Sequence, residues 1–221
     1  MDRSESIVYD PIKFNALRKL VAQGEGQHLE FKRKVSFPDK VIRELIAFAN
    51  TDGGTLLVGI GDDKSIPGVR YPEEESLIIR RELEKHCRPA LPWREEVIAI
   101  SENRFVLRLE IEKSQRRPHF YVIPGEKSSF IRQKDQSIKA SKLMNEVLRR
   151  AKSGKGTRFT YGEAEQKIIH FLADHQYISL PELSKITGLN RFMAARKIIK
   201  LILANVVRIT ASEKGDLFSR V

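Results

Sequence analysis

One stretch, residues 25–68, restricts the folds open to this chain because it predicts a strand, a helix and a second strand in direct succession. Leu29 and Phe31 alternate with polar residues, as in a half-buried strand. A helical apolar spacing follows Pro38, and residues 50–54 (Asn-Thr-Asp-Gly-Gly) then favour a sharp reversal. Residues 55–60 form a short apolar run, which indicates a buried strand. The stretch therefore predicts a sheet covered by helices.

The same residues carry a long ordered motif. It reads Glu25-x-x-x-x-Glu30-Phe31-Lys32, then Ala47-Phe48-Ala49-Asn50-Thr51-x-Gly53-Gly54-Thr55-Leu56-Leu57-x-Gly59-Ile60-x-Asp62. This motif resembles the AlbA-like domain of the Schlafen family, which has also been labelled a divergent AAA domain. A weaker likeness continues through Arg117-Pro118-His119 and Phe130-Ile131-Arg132. The resemblance implies a nucleic-acid-binding α/β domain of the kind often assigned to microbial transcriptional regulators.

In some members of that family, two glutamates and an aspartate carry metal-dependent RNA cleavage. The resemblance places Glu25, Glu30 and Asp62 at those positions, as catalytic residues and metal ligands. Carboxylate oxygens suit Mg²⁺ or Mn²⁺, and Lys32, on the same strand face as Glu30, would neutralise developing phosphate charge. In the alternative interpretation, Glu30 and Lys32 form a solvated pair and Asp62 caps a turn.

The charge of the chain favours a polyanionic partner. The formal net charge is +11 and the pI is about 9.8, and basic side chains gain affinity for phosphates through the release of counterions. Each basic cluster taken alone is compatible with ordinary solvated surface charge. In this domain the candidate nucleic-acid-binding residues are Lys32, Arg33, Lys34, Arg116, Arg117, Tyr121, Arg132 and Lys134, with Tyr121 as a platform for an unpaired base.

After a basic, glycine-containing segment at residues 152–159, which predicts a linker, the pattern changes to short helices and a hairpin. Residues 160–221 predict a winged helix-turn-helix. In its third helix, the apolar spacing predicts that the buried stripe consists of Phe192, Ala195, Ile199 and Ile202. The basic residues outside this stripe, which we expect to contact DNA, are Arg191, Lys197 and Lys200. Met193, Ala194 and Leu201 also fall outside that stripe, so an apolar outer face that docks a protein is the alternative.

Several classes of protein are disfavoured. The single cysteine, Cys87, excludes an intramolecular disulfide and a cysteine-based zinc cluster. Residues 152–158 lack the glycine and Ser/Thr positions of a phosphate-binding loop, so no ATP site is expected. The charged first ten residues do not match a signal peptide, and no apolar run is long enough to span a membrane; we therefore expect a cytoplasmic location.

Together these patterns predict an α+β (mixed α/β) AlbA/Schlafen-like domain over residues 1–151, followed by a small winged helix. The leading hypothesis is a DNA-binding transcriptional regulator that needs no cofactor for binding. One alternative is an endoribonuclease that acts on tRNA or other structured RNA with Mg²⁺ or Mn²⁺. Another is a protein-interaction module. A homodimer is a further expectation, because winged-helix regulators often read two half-sites.

Overall fold

The structure is a computed structural model that describes residues 8–151, 161–212 and 215–221. The chain divides into two compact units, Met1–Ser137 and Ile138–Val221. This division falls earlier than the predicted boundary, and the predicted linker at residues 152–159 lies outside the described residues. No helix in the described ranges combines the length and apolar character needed to cross a membrane.

The first unit is built around a four-stranded sheet with strand order β1-β2-β5-β4. Strands β1 and β2 are parallel, and the other two pairings are antiparallel. Two smaller sheets, β3-β6-β7 and β8-β9, complete the unit. The elements are α1 (Pro11–Gln23), β1 (Leu29–Lys32), α2 (Pro38–Asn50), β2 (Gly54–Val58), α3 (Pro72–His86), β3 (Cys87–Arg88), β4 (Arg94–Ser101), β5 (Arg104–Ile111), β6 (Phe120–Ile123), β7 (Glu126–Ser128), β8 (Phe130–Gln133) and β9 (Gln136–Lys139).

The alternation of apolar and charged residues in β1 gives the two faces of this edge strand different surroundings. Leu29 and Phe31 are buried in a cluster with Leu17 and Val21 of α1. Glu30 pairs in register with Leu56 of β2, and Leu56 belongs to the core on the α2 side of the sheet. Since side chains two apart share a face, Glu30 and Lys32 both point toward α2.

The turn between α2 and β2 is held by its polar residues. The Asn50 side-chain amide donates to the carbonyl oxygens of His119 (3.0 Å) and Phe130 (2.9 Å), and its oxygen accepts from the His119 backbone N–H (2.7 Å). The Thr51 hydroxyl donates to the Ala47 carbonyl and accepts from the backbone N–H of Arg132. These bonds fasten two segments that are distant in sequence, the residue before β6 and the strand β8, to the end of α2, so the turn has a structural role.

The sequence of residues 120–132 predicts one hairpin, with strands at 120–123 and 128–132. This prediction is wrong in its details, because β6 pairs with β7, which ends at Ser128. The following residues form β8, which belongs to a separate sheet with β9. The short strand β3, which pairs with β6, was also missed, because two residues give no readable alternation.

The second unit is a helical cluster with a three-stranded sheet, in the order β10-β12-β11. Ser179 caps α6 in a reciprocal capping box with Glu182, and Gly188 ends it in the left-handed conformation (φ 69°), as the sequence predicts. The elements are α4 (Lys142–Arg150), α5 (Glu163–Asp174), β10 (Ile178–Ser179), α6 (Leu180–Thr187), α7 (Arg191–Leu203), β11 (Val207–Thr210) and β12 (Leu217–Arg220).

The turn at Gly53 can be tested against a matched glycine. Gly53 and Gly125 share a φ of +79°, but a Cβ at Gly53 would lie 2.7 Å from the Ile111 carbonyl oxygen, whereas none would meet Gly125 within 4 Å. We expect Gly125→Ala to lower the free energy of unfolding by about 1 kcal/mol, the cost of left-handed backbone alone. Gly53→Ala should cost about 3 kcal/mol or more. Urea denaturation of both variants measures this, and equal losses would contradict the close packing at Gly53.

Candidate functional site

A cluster of charged side chains lies on the α2 side of β1. Lys32 forms ion pairs with Glu30 and with Glu44 of α2, the latter at 3.1 Å between Nζ and Oε1. Glu30 also pairs with Arg132 of β8, at 2.6 Å between Oε2 and the guanidinium. The cluster therefore alternates acidic and basic groups, and each basic group faces at least one carboxylate.

Arg132 is the most buried member, with 3% of its surface exposed. Its guanidinium donates to the carbonyl oxygens of Gly26 (2.9 Å) and Leu29 (3.3 Å) as well as to Glu30, and lies 5.0 Å from the ring centroid of Phe48. The prediction that Arg132 contacts nucleic acid is corrected: its donors are used inside the protein, and we assign it a structural role.

Glu44 was not identified from the sequence, where it is one polar residue of an amphipathic helix. Its Oε2 atom is buried and has no hydrogen-bond partner among the described residues. Burial and the nearby Glu30 carboxylate together raise the pKa of Glu44 to about 7, against the lowering effect of Lys32. Burial alone would lower the pKa of Lys32. The negative charges of Glu44 and Glu30 outweigh this effect, so the pKa of Lys32 is raised.

The other two predicted catalytic carboxylates lie at the edge of this cluster. The Glu25 carboxylate accepts a hydrogen bond from the Phe31 backbone N–H (2.8 Å), which satisfies a donor on the edge strand β1. Burial raises the pKa of Glu25, and the charges of Glu30 and Asp62 raise it further, so the three carboxylates share one electrostatic neighbourhood. Asp62 itself is exposed, and the adjacent turn is capped by Asp63, which accepts from Ser65.

These carboxylates do not fit a bound Mg²⁺ or Mn²⁺ in the arrangement seen. The described residues contain no group of three or more acidic, histidine or cysteine side chains positioned to hold a metal ion. Glu30, the central predicted ligand, has one oxygen bonded to Arg132 and the other to Lys32. A cation between Glu30 and Glu44 would meet the Lys32 ammonium, which already bridges them.

The remaining predicted nucleic-acid contacts of the first unit fall at two ends of the β1–β2 pair. Arg33 and Lys34 are exposed just after β1, on the side where Asp62 follows β2. Near the start of the same strands, the Lys134 backbone N–H bonds to Gln27, and Arg117 donates to the Thr51 carbonyl. The structure therefore does not bring these basic residues into one continuous patch around the carboxylates.

Arg116 is exposed, whereas Arg117 is half-buried, and burial lowers the pKa of its guanidinium. Tyr121 is only 7% exposed and packs beside His86 and beneath Arg43. Its predicted role as a base-stacking platform is corrected, because neighbouring side chains already cover the ring. Cys87 is also buried, and burial raises the pKa of its thiol to about 12, which leaves no thiolate at neutral pH.

In the second unit the buried face of α7 differs from the predicted stripe. Ala194, Ile198 and Leu201 are fully buried, whereas Phe192 is 69% exposed. The apolar residues of α7 occupy two overlapping stripes, and the sequence alone does not identify which stripe meets the core. Packing against α5, α6 and the sheet selects the stripe through Ala194.

This rotation changes the predicted DNA contacts. Arg191 is exposed and Lys200 is half-buried, but Lys197 donates to the buried Glu165 at 2.7 Å. Lys197 is therefore engaged inside the unit. Arg196 is exposed beside Phe192, with its guanidinium 5.8 Å from the ring centroid, and was missed because the predicted stripe placed its neighbours in the core.

The net charge is divided unequally between the units. Residues 138–221 contain 16 lysines and arginines against 7 aspartates and glutamates, which leaves +9 of the total +11 in the second unit. The first unit is nearly neutral by comparison, because its 24 lysines and arginines are balanced by 22 aspartates and glutamates. A polyanion would be drawn mainly to the second unit.

The first unit is thus an α+β domain in which a parallel strand pair carries a glycine turn and a buried ion-pair cluster. A family model described as Schlafen, AlbA_2 matches residues 25–141, and the chain belongs to this family.

Two solved structures are similar to parts of the chain. The N-terminal domain of a putative ATP-dependent DNA helicase RecG-related protein from Nitrosomonas europaea is 22% identical, with a TM-score of 0.43, over 57% of this chain and 88% of that one. The DIP2311 protein from Corynebacterium diphtheriae is 20% identical, with a TM-score of 0.42, over 66% of this chain and 29% of that one. No curated protein matches the chain.

The Glu30–Arg132 pair predicts a large loss of stability on truncation. Arg132→Ala would leave the Glu30 carboxylate buried without its main partner, so we expect the free energy of unfolding to fall by about 3–5 kcal/mol. Lys134→Ala, an exposed position in the same hairpin, should change it by about 0.5 kcal/mol or less. Urea denaturation compares the two, and similar small losses would show that Arg132 is not holding the cluster.

Glu44 predicts a pH-dependent stability. Because its pKa is raised to about 7 in the folded protein, the folded state binds more protons than the unfolded state between the ordinary carboxyl pKa and that value. The stabilising contribution is complete at low pH and is lost as the pH rises through 7. Glu44→Gln removes this titration. The free energy of unfolding of the variant, relative to that of the wild type, should therefore rise by about 1–3 kcal/mol from pH 5 to pH 8.

Denaturation with urea at the two pH values measures that gain. Glu102→Gln, at an exposed hairpin position, is the control and should track the wild type at both values. A Glu44→Gln variant that also tracks the wild type would show that Glu44 titrates normally.

Proposed function

We propose that this protein binds nucleic acid and acts as a DNA-binding transcriptional regulator, with its second unit as a winged helix-turn-helix. The observation that carries the proposal is the concentration of charge, +9 of +11, in residues 138–221. Family membership supports it, since Schlafen AlbA-like domains are associated with nucleic-acid binding.

The element order of the second unit supports the winged-helix assignment. Helices α5, α6 and α7 are followed by the β11–β12 hairpin, and β10 joins β12 to complete the sheet. A winged helix-turn-helix places α6 and α7 as the helix-turn-helix pair and the hairpin as the wing. The hairpin carries Arg208 and Arg220, both exposed, which would meet the phosphate backbone of duplex DNA.

The ion-paired carboxylates of the first unit support the regulator over the endoribonuclease. Glu30 is ion-paired with both Arg132 and Lys32, which supports a structural role for its carboxylate. The basic residues left exposed there, Arg33, Lys34, Arg116 and Lys134, would add phosphate contacts without chemistry.

The direct test is a retardation assay with duplex DNA and with tRNA, in Mn²⁺ and in EDTA, followed by denaturing gels. Retardation that weakens steeply with salt, without cleavage, is the expected result. Absence of binding to either nucleic acid at low salt would refute the proposal. RNA cleavage that requires Mn²⁺ and disappears in Glu30→Gln would instead establish the endoribonuclease.

A charge-matched pair of variants tests the role of the wing. Arg208→Ser with Arg220→Ser should reduce the slope of log affinity against log salt by about 2, since each phosphate contact on duplex DNA contributes about 0.9. Arg80→Ser with Arg94→Ser removes the same charge from ion-paired positions of the first unit and should leave the slope unchanged. Fluorescence anisotropy over a salt series measures both, and equal slopes for the two double variants would exclude the wing from the interface.

A further inference from the structure

The second unit contains a groove that the winged-helix assignment does not explain. It has a volume of about 1220 Å³ and runs between α4 on one side and α6 and α7 on the other. Leu143 and Ile199 are among its apolar lining residues, and Asp216, which accepts from Ser141, lies at one edge. Its size exceeds the roughly 300–1,000 Å³ of most small-molecule sites, which indicates a longer ligand.

The α7 wall of this groove is the surface that a recognition helix would use. Arg191, Phe192, Ala195 and Arg196 all line the groove, and they lie in the N-terminal half of α7. In helix-turn-helix proteins, the N-terminal residues of the recognition helix contact base edges in the major groove. Here α4 stands across from them.

The presence of α4 limits what can approach α7. A helix with its side chains is about 10–12 Å across, and the major groove of duplex DNA is about 12 Å wide, so one helix fills it. Leu143 and Val147 of α4 share a core cluster with Ile199 of α7, which fixes the two helices side by side. Together they are wider than the major groove, so duplex DNA would meet this unit through the β11–β12 wing, and the groove is left for another ligand.

The chemistry of the groove suits an unpaired strand. Phe192 presents an aromatic ring that is 69% exposed, the feature on which bases stack. Lys142, Arg191 and Arg196 line the groove and form no ion pair with a described residue, so they are available to phosphates. The aliphatic floor accepts base faces, which duplex DNA keeps stacked inside the helix.

We propose that the groove between α4 and α7 binds single-stranded nucleic acid, with Phe192 stacking a base and Arg191, Arg196 and Lys142 holding the backbone. This inference rests on the proposed nucleic-acid binding and specifies the strand form that this face recognises. A single-stranded DNA segment and an RNA segment offer the same shared chemistry, and the experiment separates them.

The test uses the full chain and fluorescein-labelled dT12, U12 and a 12-base-pair duplex, compared by anisotropy at equal phosphate concentration. We expect the unpaired oligonucleotides to bind at least tenfold more tightly than the duplex. The ratio of dT12 to U12 affinity then identifies the natural source as DNA or RNA. Duplex affinity equal to or above that of both oligonucleotides would overturn the groove proposal.

Substitutions separate stacking from charge. Phe192→Ala should weaken dT12 or U12 binding by about 5- to 100-fold, as loss of one base–aromatic stack does, and leave the salt slope unchanged. Arg196→Ala should reduce that slope by about 0.7. Tyr177→Ala, at a 53% exposed tyrosine of the same unit that does not line the groove, is the matched control. Because Phe192 and Tyr177 are both exposed, the variants are expected to fold, and circular dichroism checks this.

The failures of the two proposals are distinguishable. If the protein binds duplex and unpaired oligonucleotides alike and Phe192→Ala leaves that binding intact, the groove proposal is refuted and the nucleic-acid-binding function stands. If the protein binds no oligonucleotide, both proposals are refuted. Competition by polyglutamate of equal charge as effectively as by dT12 would show that the groove recognises charge alone and would overturn the proposal.

Discussion

The guanidinium of Arg132 is the contact on which the first unit depends most. It joins three elements at once, through the Gly26 and Leu29 carbonyls, the Glu30 carboxylate and the face of Phe48. Because a buried ion is stable only where every charge and donor is satisfied, these contacts require β1, α2 and β8 to be in place together. The Asn50 and Thr51 bonds fasten the same β8 segment from the other side.

This pairing has a chemical consequence for the carboxylates. A carboxylate that neutralises an arginine and a lysine has little remaining charge for a divalent cation. Glu44 is the carboxylate of the cluster that is less fully paired, because its Oε2 atom lacks a hydrogen-bond partner among the described residues. The sequence motif therefore fixes where the acidic residues lie, but the partners contributed by α2 and β8 decide what those residues can do.

The parts of the fold that local physics controls could be predicted from the sequence. The strand–helix–strand unit, the capping box at Ser179 and the left-handed Gly188 each follow from residues close together in the chain. The errors share a different origin. Arg132 and Tyr121 look like surface residues in alternating strands, and only distant segments bury them. For α7, two apolar stripes satisfy the helical period, and the neighbouring helices select between them.

The separation of charge between the two units has a further implication. In the first unit, basic residues face acidic partners at short range, so their fields largely cancel beyond a Debye length of about 8 Å at physiological salt. The second unit has 16 basic residues for 7 acidic ones, and the field of the remaining +9 charge extends into solvent. Attraction at a distance is then nonspecific and belongs to the second unit, whereas discrimination needs groups that touch the ligand. In that unit, the exposed ring of Phe192 would contribute to binding affinity by stacking, and this contribution would not vary with salt. The salt dependence of affinity therefore distinguishes attraction by charge from recognition through stacking.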